Sequence, residues 1–547
     1  MNIITRLGKR LRREWQDGLG NLRLVRTGLQ VAYRSHPRAD QKPVVFFNAS
    51  TRIRRVSLNA AFSILTGWVL QLTGIPVVHF ACRAGMSRCV LGTNRDDPSA
   101  LPPCRACIAQ TRRLLLSAPT VWFSYEKNVA LAQKLQGLSI QELSEFCFPL
   151  HVEENWKFGL PLGQLVMPSL RWILRRHHLI DDEPTRQLYR EYILSAYQVA
   201  CEFARFLDEI EPQCVILFNG QFYPEAVARW VAIQKGIRAI THEVGLRPFT
   251  AFFTEGEATA YPLHIPDNFD LTEAQNACLD EYLSQRFQGQ FSMAGIHFWH
   301  EMHQLDEGFL KLAAGFQQIV PVFTNVIFDT SQPHSNTVFA HMFAWLDLVL
   351  EIARKHPQTL FVIRAHPDET RPGKESRESV GQWVQTHQAD RLPNILFVDS
   401  QQPLSSYELI QRSKFIMVYN STIGLEATIL GKPVLCAGRS RYTQLPTVFF
   451  PSSPSAYRQK VEEFLATPQI DVPPEFQRNA RRFLYYQLFI SSLPFETFLE
   501  EDGVWQGFVR LRSFSWRQLR AQNSPTMQVL QEGILQGGEF MWKDQLE

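Results

Sequence analysis

The 547-residue sequence has no long uninterrupted hydrophobic run. Its longest stretch without a charged residue, Val56–Ala81, contains Gln71 and Pro76 and divides into a predicted helix ending near Thr73 and a predicted strand at Ile75–Phe80. A membrane-spanning helix needs about 20 consecutive, predominantly apolar residues, so the sequence predicts none. A secretory signal peptide is not predicted either, because the first residues are rich in arginine and lack an apolar segment.

An excess of charge of one sign is also missing. The chain has 56 Lys and Arg residues against 53 Asp and Glu, which gives a net charge of +3 at pH 7. This balance argues neither for nor against an acidic partner, and we expect no nucleic-acid partner. With 45% hydrophobic and 20% charged residues, the composition is that of a globular protein and excludes a largely disordered chain. The length predicts two or more domains.

Cysteines are few, and without a signal peptide the nine present are interpreted as reduced thiols of a cytoplasmic protein. Four of them are grouped with the spacings C-x6-C and C-x2-C: Cys82, Cys89, Cys104 and Cys107. Four thiolates can surround a tetrahedral structural zinc ion; an iron–sulfur cluster or four unrelated thiols are the alternatives. The remaining cysteines lie in apolar patterns and are predicted to be core residues: Cys147, Cys201, Cys214, Cys278 and Cys436.

Residues 1–40 carry nine Lys and Arg residues against three acidic ones. Their excess of positive charge is therefore larger than that of the whole chain. Ile4, Leu7, Leu11 and Trp15 recur at helical spacing between these basic residues. The pattern predicts an amphipathic helix with two possible positions. Its apolar stripe either lies on an anionic membrane surface, at the inner face of the membrane, or packs against the protein itself.

Beyond Pro43 the chain alternates predicted strands and helices, which predicts doubly wound α/β domains. Strands are predicted at Val44–Phe47, Ile75–Phe80, Val121–Tyr125, Val215–Phe218, Arg238–Thr241, Val320–Phe328, Leu360–Ala365, Ile395–Val398, Phe415–Tyr419, Pro433–Ala437 and Val448–Phe450. The predicted organisation is a basic N-terminal segment (1–40), a Rossmann-like domain with the cysteine group (41–260), an inter-domain connection (261–315), a second Rossmann-like domain (316–475) and a C-terminal helical tail (476–547).

The stretch Phe415–Gly438 carries the most informative local pattern. Its first residues, up to Tyr419, predict a buried strand. Asn420, Ser421 and Thr422 follow directly, and all three are residue types that cap helices. The next apolar residues recur at helical spacing until a Gly-Lys-Pro sequence ends the helix. In an open parallel sheet, ligands bind at this kind of strand–helix turn.

The hydroxyls of this turn and the free N–H groups of the helix predict a phosphate site. Gly424 is interpreted as allowing a ligand to approach the backbone, and Glu426 as a contact for sugar hydroxyls. A well-capped helix in any α/β domain is the alternative. Other predicted strand ends of the same domain also carry polar residues, which we expect along one sheet edge: Thr324, Asn325, Asp329, Arg364, His366, Glu369, Asp399 and Ser400.

Three motifs in this domain resemble those of a known family. Arg-x-His-Pro at 364–367, Tyr-Asn-Ser-Thr-x-Gly-x-Glu-Ala at 419–427 and Gly-Lys-Pro-Val at 431–434 resemble the bacterial capsule polysaccharide biosynthesis proteins. That family includes glycosyltransferases acting on 3-deoxy-D-manno-octulosonic acid and, more remotely, polysialyltransferases. The resemblance covers mainly residues 320–445. It implies the GT-B fold, in which two doubly wound domains face a cleft.

The resemblance also implies a nucleotide-sugar donor, with a CMP-sugar favoured. In such proteins the histidine of His-Pro and the Ser/Thr turn contact the donor phosphate, roles that fall here on His366, Ser421 and Thr422. Glu426 becomes the candidate for the ribose. The expected donor-binding residues are Asn325, Arg364, His366, Ser421, Thr422 and Glu426.

The first domain would then bind the acceptor and supply a general base that deprotonates the attacking hydroxyl. A predicted strand there ends in His242 and Glu243, which we expect to be catalytic. Glu225 and Asp329 are alternatives, and a salt-linked turn is the structural alternative. Because the chain has no Asp-x-Asp motif, metal-independent transfer is expected. The transfer is also expected to be inverting and to need no catalytic cofactor.

The predicted function is transfer of a sugar to a capsule polysaccharide, another surface glycan or a glycolipid. A nucleotide-sugar 2-epimerase would have a similar donor site but no acceptor groove. A non-catalytic capsule assembly or export factor would retain the fold without the chemistry.

Overall fold

The computed structural model describes the backbone of residues 3–49, 55–151, 157–287, 292–293, 296–297, 305–371, 373–402, 404–503 and 507–542. For residues 3–17, 19, 151, 157–158, 292–293 and 296–297, only the backbone is described. The apolar stripe Ile4–Trp15 therefore lies outside the described side chains, although the helix that carries it, Ile3–Arg34, is present.

The chain divides into two compact units. Unit 1 contains the described residues within 1–173, 179–261 and 489–547, and unit 2 those within 174–178 and 262–488. This division differs from the domain boundaries predicted from the sequence. The predicted connection 261–315 lies almost entirely in unit 2, because its helix Glu273–Phe287 packs against the helix Pro474–Tyr485.

Unit 1 contains a seven-stranded sheet with a parallel centre. We number its strands β1 to β6 in chain order: Val44–Asn48, Val77–Cys82, Thr120–Phe123, Cys214–Phe218, Arg238–Val244 and Thr250–Glu255. Their spatial order is β3-β2-β1-β4-β5-β6, followed by the short strand Leu493–Pro494. The first five strands are parallel, with Phe46 of β1 opposite His79 of β2 and Ile216 of β4. The chain thus reverses direction across the sheet between β1 and β4, the point at which doubly wound folds bind ligands.

The two strands beyond β5 in this sheet were not predicted. β6 pairs antiparallel with β5, and Leu493–Pro494 pairs antiparallel with β6. The core under the sheet combines the helix Leu58–Leu72 with residues from both ends of the chain, including Val31, Phe495 and Met527. The C-terminal residues therefore complete unit 1.

Several helices of unit 1 are capped by the residue types that the sequence supplies. Glu183–Ile210, for example, begins at Asp182, whose carboxylate accepts a hydrogen bond from the N–H of Thr185, and ends at Glu211 in the left-handed region. Its α-helices are Ile3–Arg34, Leu58–Leu72, Cys104–Leu114, Val129–Lys134, Ile140–Ser144, Leu162–Leu174, Glu183–Ile210, Tyr223–Gln234 and Pro525–Glu532. Its smaller strands are Val56–Ser57, Phe148–His151, Lys157–Leu160, Leu499–Glu501 and Phe508–Leu511.

Unit 2 contains a five-stranded parallel sheet. Its strands are β7 to β11: Gln318–Phe323, Thr359–Arg364, Ile395–Val398, Ile416–Val418 and Val434–Cys436. Their spatial order, β9-β8-β7-β10-β11, has the same reversal as unit 1, here between β7 and β10. Val322 of β7 lies opposite Ile363 of β8 and Met417 of β10. The predicted strand at 448–450 forms only a single bridge, Leu435 to Phe449.

The buried core of unit 2 lies between this sheet and its helices. Trp345 and Tyr457, both fully buried, meet there through a 3.0 Å hydrogen bond from the indole N–H to the phenolic oxygen. The α-helices of unit 2 are Glu273–Phe287, Glu307–Ala313, Gln332–Ser335, Met342–Lys355, Val380–His387, Ser406–Arg412, Ile423–Ile429, Pro454–Ala466 and Pro474–Tyr485.

The predicted fold class is confirmed: the protein is α/β, with two doubly wound, Rossmann-like units. In the described part of the chain, no helix has both the length and the apolar character that crossing a bilayer requires.

Candidate functional site

The reversal point of unit 2 is built from the loops that follow β7 and β10. Asn325 donates a hydrogen bond from its amide to the side-chain oxygen of Asn420 over 2.7 Å. The amide of Asn420 in turn donates to Ser335 Oγ over 2.6 Å and to Ser331 Oγ over 3.3 Å. Asn420, expected to cap a helix, therefore ties two loops together from a buried position. The sequence gives no local signal for this network, because its partners lie more than eighty residues away.

The turn at Ser421 and Thr422 leads directly into the helix Ile423–Ile429. Thr422 occupies the N-cap position with φ −61° and ψ −20°, and its side chain makes no capping hydrogen bond. The capping role expected from the sequence is therefore not used. The exposed Thr422 hydroxyl and the half-buried Ser421 lie at the end of β10, where a ligand can reach them.

Gly424 serves packing within unit 2. A Cβ added there would lie 2.4 Å from the phenolic oxygen of the buried Tyr442 and 3.0 Å from a methyl group of Val418. The expectation that Gly424 admits a ligand to the backbone is therefore corrected. The contact that only glycine allows is made with Tyr442.

Arg364 and His366 follow the neighbouring strand β8. Arg364 is buried at the end of the strand, and its carbonyl oxygen accepts hydrogen bonds from the hydroxyl and the N–H of Thr324, over 2.9 and 3.2 Å. Burial lowers the pKa of its guanidinium to about 10, so the group still carries its positive charge at neutral pH. A charge held in this way attracts an anion more strongly than an exposed arginine does.

His366 begins the short 3-10 helix Pro367–Thr370, and its Nδ1 accepts a hydrogen bond from the N–H of Asp368 over 3.1 Å. Burial lowers its pKa below the ordinary value, although Asp368 and Asp329 favour the charged form. A neutral imidazole that accepts at Nδ1 carries its proton on Nε2. His366 thus offers one N–H donor at the same sheet edge as Arg364.

The acidic residues of this sheet edge accept hydrogen bonds from within the protein. Asp329 accepts a hydrogen bond from Ser331 Oγ over 2.7 Å. Asp399 accepts from the N–H of Gln401 over 3.0 Å. The buried Glu369 accepts from the N–H of Val380 over 2.8 Å, and burial raises its pKa to about 8. These contacts shape the loops around Arg364 and His366.

Glu426 has a different role from the one expected. Its carboxylate lies in the buried interior, where Oε1 accepts a 2.6 Å hydrogen bond from Arg286 Nε and Oε2 accepts a hydrogen bond from the Tyr407 hydroxyl. Both oxygens are occupied, so the predicted ribose contact gives way to a buried ion pair. Its partner Arg286 lies 140 residues earlier in the chain.

In unit 1 a cavity of about 50 Å³ lies at the reversal point between β1 and β4. Asn48 at the end of β1, Phe218 at the end of β4 and His242 near the end of β5 line it, together with Glu225 and Trp172. Asn219 and Gly220, with φ of +32° and +79°, turn the chain sharply after β4. That turn starts the helix Tyr223–Gln234 and places the buried Glu225 in its first turn.

His242 and Glu243 are adjacent on β5, and only His242 lines this cavity. The His242 ring is almost fully buried, and its Nδ1 has no hydrogen-bond partner within the described residues. Burial lowers its pKa to about 3, which makes it a weak base near neutral pH. Glu243 Oε1 instead accepts hydrogen bonds from its neighbour, the Val244 N–H, over 2.8 Å and from Asn59 over 3.2 Å. Asn59 lines the cavity.

The four grouped cysteines are brought together in unit 1, where all of them line one cavity. In the described ranges, however, no group of three or more His, Cys, Asp or Glu side chains is arranged to hold a metal ion. Of the other cysteines, Cys214 and Cys436 are buried as predicted and Cys201 is half-buried. Cys147 and Cys278 are exposed, so their assignment to the core was wrong.

Comparison with known proteins finds a family match over the region that contains the expected donor-binding residues. Residues 303–445 match the family described as capsule polysaccharide biosynthesis protein. The predicted resemblance to that family is thereby confirmed over this range, which contains all six expected donor-binding residues. The protein FixF of Sinorhizobium fredii (strain NBRC 101917 / NGR234) is 26% identical over 232 residues, or 42% of this chain and 49% of FixF. The chain thus spans about half the length of this curated relative.

Three solved structures are similar to parts of the chain. The beta Kdo 2,4 transferase of Thermosulfurimonas dismutans KpsC has a TM-score of 0.31 and 11% identity, covering 51% of this chain and 80% of that one. The beta Kdo 2,7 transferase of the same KpsC has a TM-score of 0.32 and 12% identity, covering 57% and 85%. The UDP-GlcNAc 2-epimerase of Neisseria meningitidis has a TM-score of 0.24 and 13% identity, covering 82% and 99%.

Proposed function

We propose that the protein is a glycosyltransferase of the GT-B class that transfers a sugar from a nucleotide donor to a capsule polysaccharide, another surface glycan or a glycolipid. The observation that supports the proposal is the position of Arg364, His366 and the Ser421–Thr422 turn at the carboxyl ends of β8 and β10, the two strands that flank β7 in unit 2. These residues lie within the part of the chain that matches the capsule family.

Each residue has a distinct proposed part in holding the donor, for which a CMP-sugar is favoured. The buried positive charge of Arg364 neutralises phosphate charge. His366 donates from Nε2 to a phosphate oxygen, and the hydroxyls of Ser421 and Thr422 donate to another. Because negative charge grows on the leaving phosphate as the glycosidic bond breaks, the same fixed donors lower the barrier. Asn325 positions the loop through Asn420. Glu426 pairs with Arg286 and Tyr407 rather than binding ribose.

The cavity of unit 1 is proposed as the place where the acceptor hydroxyl is deprotonated. A general base works best when its pKa is near the working pH, and the low pKa of His242 argues against that residue. Glu225 lines the cavity directly, whereas one oxygen of Glu243 is held by Asn59 and Val244. We therefore place Glu225 ahead of Glu243 as the base and give His242 a positioning role. Metal-independent, inverting transfer remains the proposed chemistry.

The site of action is proposed to be the inner face of the membrane, with an anionic lipid surface as a partner. On the N-terminal helix, Leu22, Leu29 and Tyr33 are 66%, 57% and 77% exposed, and their spacing places them on one face. Leu24 and Val31 are buried on the opposite face.

Basic side chains accompany this apolar face. Arg34 at the end of the same helix lies 5.5 Å from the ring centre of Trp516, and Arg517 and Arg520 lie 5.7 and 4.9 Å from it. Apolar and aromatic groups beside clustered arginines are the combination that binds an anionic bilayer surface.

The donor site is tested by titrating CMP, UDP, GDP and the corresponding nucleotide-sugars into the protein by calorimetry. A transfer assay is run alongside. His366→Ala should lose both nucleotide affinity and turnover, the latter by on the order of 10²–10³ as for loss of one preorganised donor. His387→Ala, which removes an exposed histidine elsewhere in unit 2, is the matched control. Unchanged affinity and turnover in His366→Ala would contradict the donor site.

The same assay separates the alternative functions. Glu225→Gln should abolish transfer and leave nucleotide affinity nearly unchanged, with Glu243→Gln as the comparison. Product formed from a nucleotide-sugar alone, without an acceptor, would indicate the 2-epimerase alternative. Nucleotide binding with neither product nor donor hydrolysis would indicate a non-catalytic assembly or export factor.

A further inference from the structure

A further cavity of unit 1, of about 380 Å³, lies against the N-terminal helix Ile3–Arg34. The helix Cys104–Leu114 and the strand Phe508–Leu511 also contribute to its wall. None of the described residues that line it also lines the acceptor cavity. Its volume falls in the range of about 300–1,000 Å³ that is typical of small-molecule sites, and the proposed transfer reaction does not use it.

Part of the cavity wall is apolar. Leu24 of the N-terminal helix and Val509 and Leu511 of the strand line the cavity, and all three are buried. Ala106 and Ala109 line it from the helix Cys104–Leu114, one turn apart and therefore on the same side of that helix. Their short side chains leave room for a ligand. This part of the wall suits a hydrocarbon group.

Positive charge predominates in the rest of the wall. Arg55, Arg113 and Arg510 line the cavity, and Asp502 is the one acidic residue among the described lining residues. Arg55 and Arg510 are half-buried, so water screens their charges less than it would on an open surface. The cavity therefore favours an anionic group.

The position of Arg55 is fixed by contacts within the protein. Its φ of +64° lies in the left-handed region. Its guanidinium donates to the carboxylate of the buried Asp502 over 2.8 Å, and the Gln110 amide donates to its carbonyl oxygen over 3.3 Å. Non-glycine residues held in this region are concentrated at ligand-binding and active sites. Arg55 is thus preorganised to meet a ligand.

Arg510 is short of hydrogen-bond acceptors. Its Nη2 donates to the carbonyl oxygen of Glu501 over 3.2 Å. Its Nε is enclosed and has no acceptor within the described residues, which is costly for a buried donor. A Cβ at Gly20 would lie 3.2 Å from Arg510 Cδ, so this glycine leaves room for the arginine beside the N-terminal helix. An anion in the cavity supplies the guanidinium with further acceptors.

An apolar wall beside preorganised arginines matches a molecule with a hydrocarbon part and an anionic head. We propose that this cavity binds one phospholipid molecule. Its phosphate lies at Arg55, Arg113 and Arg510, and the beginning of an acyl chain lies against Leu24 and the two alanines. A guanidinium binds phosphate oxygens through paired N–H groups, which makes arginine well suited to this head group.

This site is separate from the membrane contact proposed above. Leu22, Leu29 and Tyr33 are exposed, whereas Leu24 lines the cavity from the buried side of the same helix. A lipid in the cavity is therefore a single bound molecule with a defined stoichiometry. The exposed face can fail to bind vesicles without affecting it.

The test is calorimetric titration of the full chain with dihexanoyl phosphatidylglycerol below its micelle concentration. We expect saturable binding with equal stoichiometry of lipid and chain. Inorganic phosphate should bind far more weakly, and hexyl glucoside, which has a hydrocarbon chain without a charge, should not bind measurably. Phosphate that binds as tightly as the lipid would overturn the proposal in favour of a plain anion site. Hexyl glucoside that binds as tightly would overturn it in favour of an apolar pocket.

Variants of the cavity wall locate the lipid. Arg510→Gln should weaken lipid binding about tenfold or more, as loss of a hydrogen bond to a charged group typically does. Arg112→Gln changes an exposed arginine that does not line the cavity and is the matched control. Ala109→Trp fills the cavity from an exposed position and should block the lipid without removing a charge, so the test does not depend on Arg510→Gln folding.

Leu22→Glu combined with Leu29→Glu should bind the short-chain lipid like the wild type, which separates this site from the membrane contact. Unchanged lipid affinity in both Arg510→Gln and Ala109→Trp would overturn the proposal. So would the absence of saturable binding by the wild type.

Discussion

Tyr442 donates a hydrogen bond from its phenolic oxygen to the main-chain carbonyl of Ser421 over 2.8 Å. Since the Tyr442 ring is buried, this bond supports the Ser421–Thr422 turn from inside unit 2. The turn that presents hydroxyls to the proposed donor is therefore positioned by a residue that the donor does not touch. Gly424 belongs to the same arrangement, because any larger residue would meet the Tyr442 hydroxyl.

Gly424→Ala should displace Tyr442 and destabilise the protein by about 1–3 kcal/mol, as overpacking of a filled core typically does. Tyr442→Phe should cost less, about 0.5–1.5 kcal/mol for the lost hydrogen bond. Urea denaturation measures both. Gly381→Ala is the matched control, because a Cβ there has its nearest neighbours at an ordinary 3.5 Å. Equal stability of Gly424→Ala and the wild type would contradict the packing role.

Removal of one partner of the Arg286–Glu426 pair should be strongly destabilising. Glu426→Gln leaves the Arg286 guanidinium buried without its counter-charge, which typically costs about 3–5 kcal/mol. Both side chains are at most 10% exposed. Asp270→Asn, which removes the partner of Arg478 in an exposed pair, should change the free energy of unfolding far less, because water screens exposed ion pairs.

The measurement is the free energy of unfolding in urea, combined with nucleotide titration. Suppose instead that Glu426→Gln kept full stability and lost nucleotide affinity. The carboxylate would then contact the ligand, as the sequence pattern first indicated, and the structural role assigned here would be incorrect.

Glu369 should make stability fall as the pH rises. Burial raises its pKa from 4.5 to about 8, so between these values the folded state binds a proton that the unfolded state has released. The free energy of unfolding then decreases with pH across that window. Glu369→Gln has no proton to lose and should show a shallower decrease.

Thermal melting of the wild type and Glu369→Gln at pH 5.5 and pH 8.5 tests this point. The Glu369 carboxylic acid should stabilise the wild type less at pH 8.5 than at pH 5.5. The difference in melting temperature between the two proteins should therefore change with pH. Glu475→Gln, on an exposed helix position, should follow the wild type. A pH-independent difference for Glu369→Gln would contradict the shifted pKa.

The exposed face of the N-terminal helix should bind vesicles that contain anionic lipid. Leu22→Glu combined with Leu29→Glu should abolish co-sedimentation, because it removes apolar contact and adds repulsion. Val129→Glu, at another exposed apolar position of unit 1, should bind like the wild type. Binding should also weaken with salt, since the attraction is screened over about 8 Å at physiological ionic strength. Equal binding to neutral vesicles would indicate that the arginines around Trp516 play no part.

The parallel strands of both units could be predicted because their signal is local. Short apolar runs alternated with helical patterns, and polar residues followed the runs at 364–366 and 420–422. The two strands beyond β5 in unit 1 could not be predicted in the same way. Thr250–Glu255 is stabilised by β5 on one side and by Leu493–Pro494, more than two hundred residues later, on the other. No short window contains both partners.

Prediction of the candidate site was likewise limited to what a short stretch of sequence contains. The positions of Arg364, His366, Ser421 and Thr422 follow from strand ends, and the sequence was sufficient to predict them. The pairing of Glu426 with Arg286 depends on a contact across 140 residues. His242 and Glu243 are successive residues of β5, and successive strand residues point to opposite faces of a sheet. Their adjacency in the sequence therefore indicates that the two side chains do not line one cavity together.

The return of the chain to unit 1 after residue 488 has a consequence for biosynthesis. Unit 2 is continuous apart from residues 174–178, so its sheet can form as soon as the ribosome has released residue 488. The core of unit 1 still waits for Leu493, Phe495 and Met527. During translation the core of unit 1 is therefore completed only after the sheet of unit 2 can form. Until those residues are made, unit 1 exposes apolar surface and an unpaired edge of β6. Its folding in that interval depends on chaperones or on rapid completion of the chain.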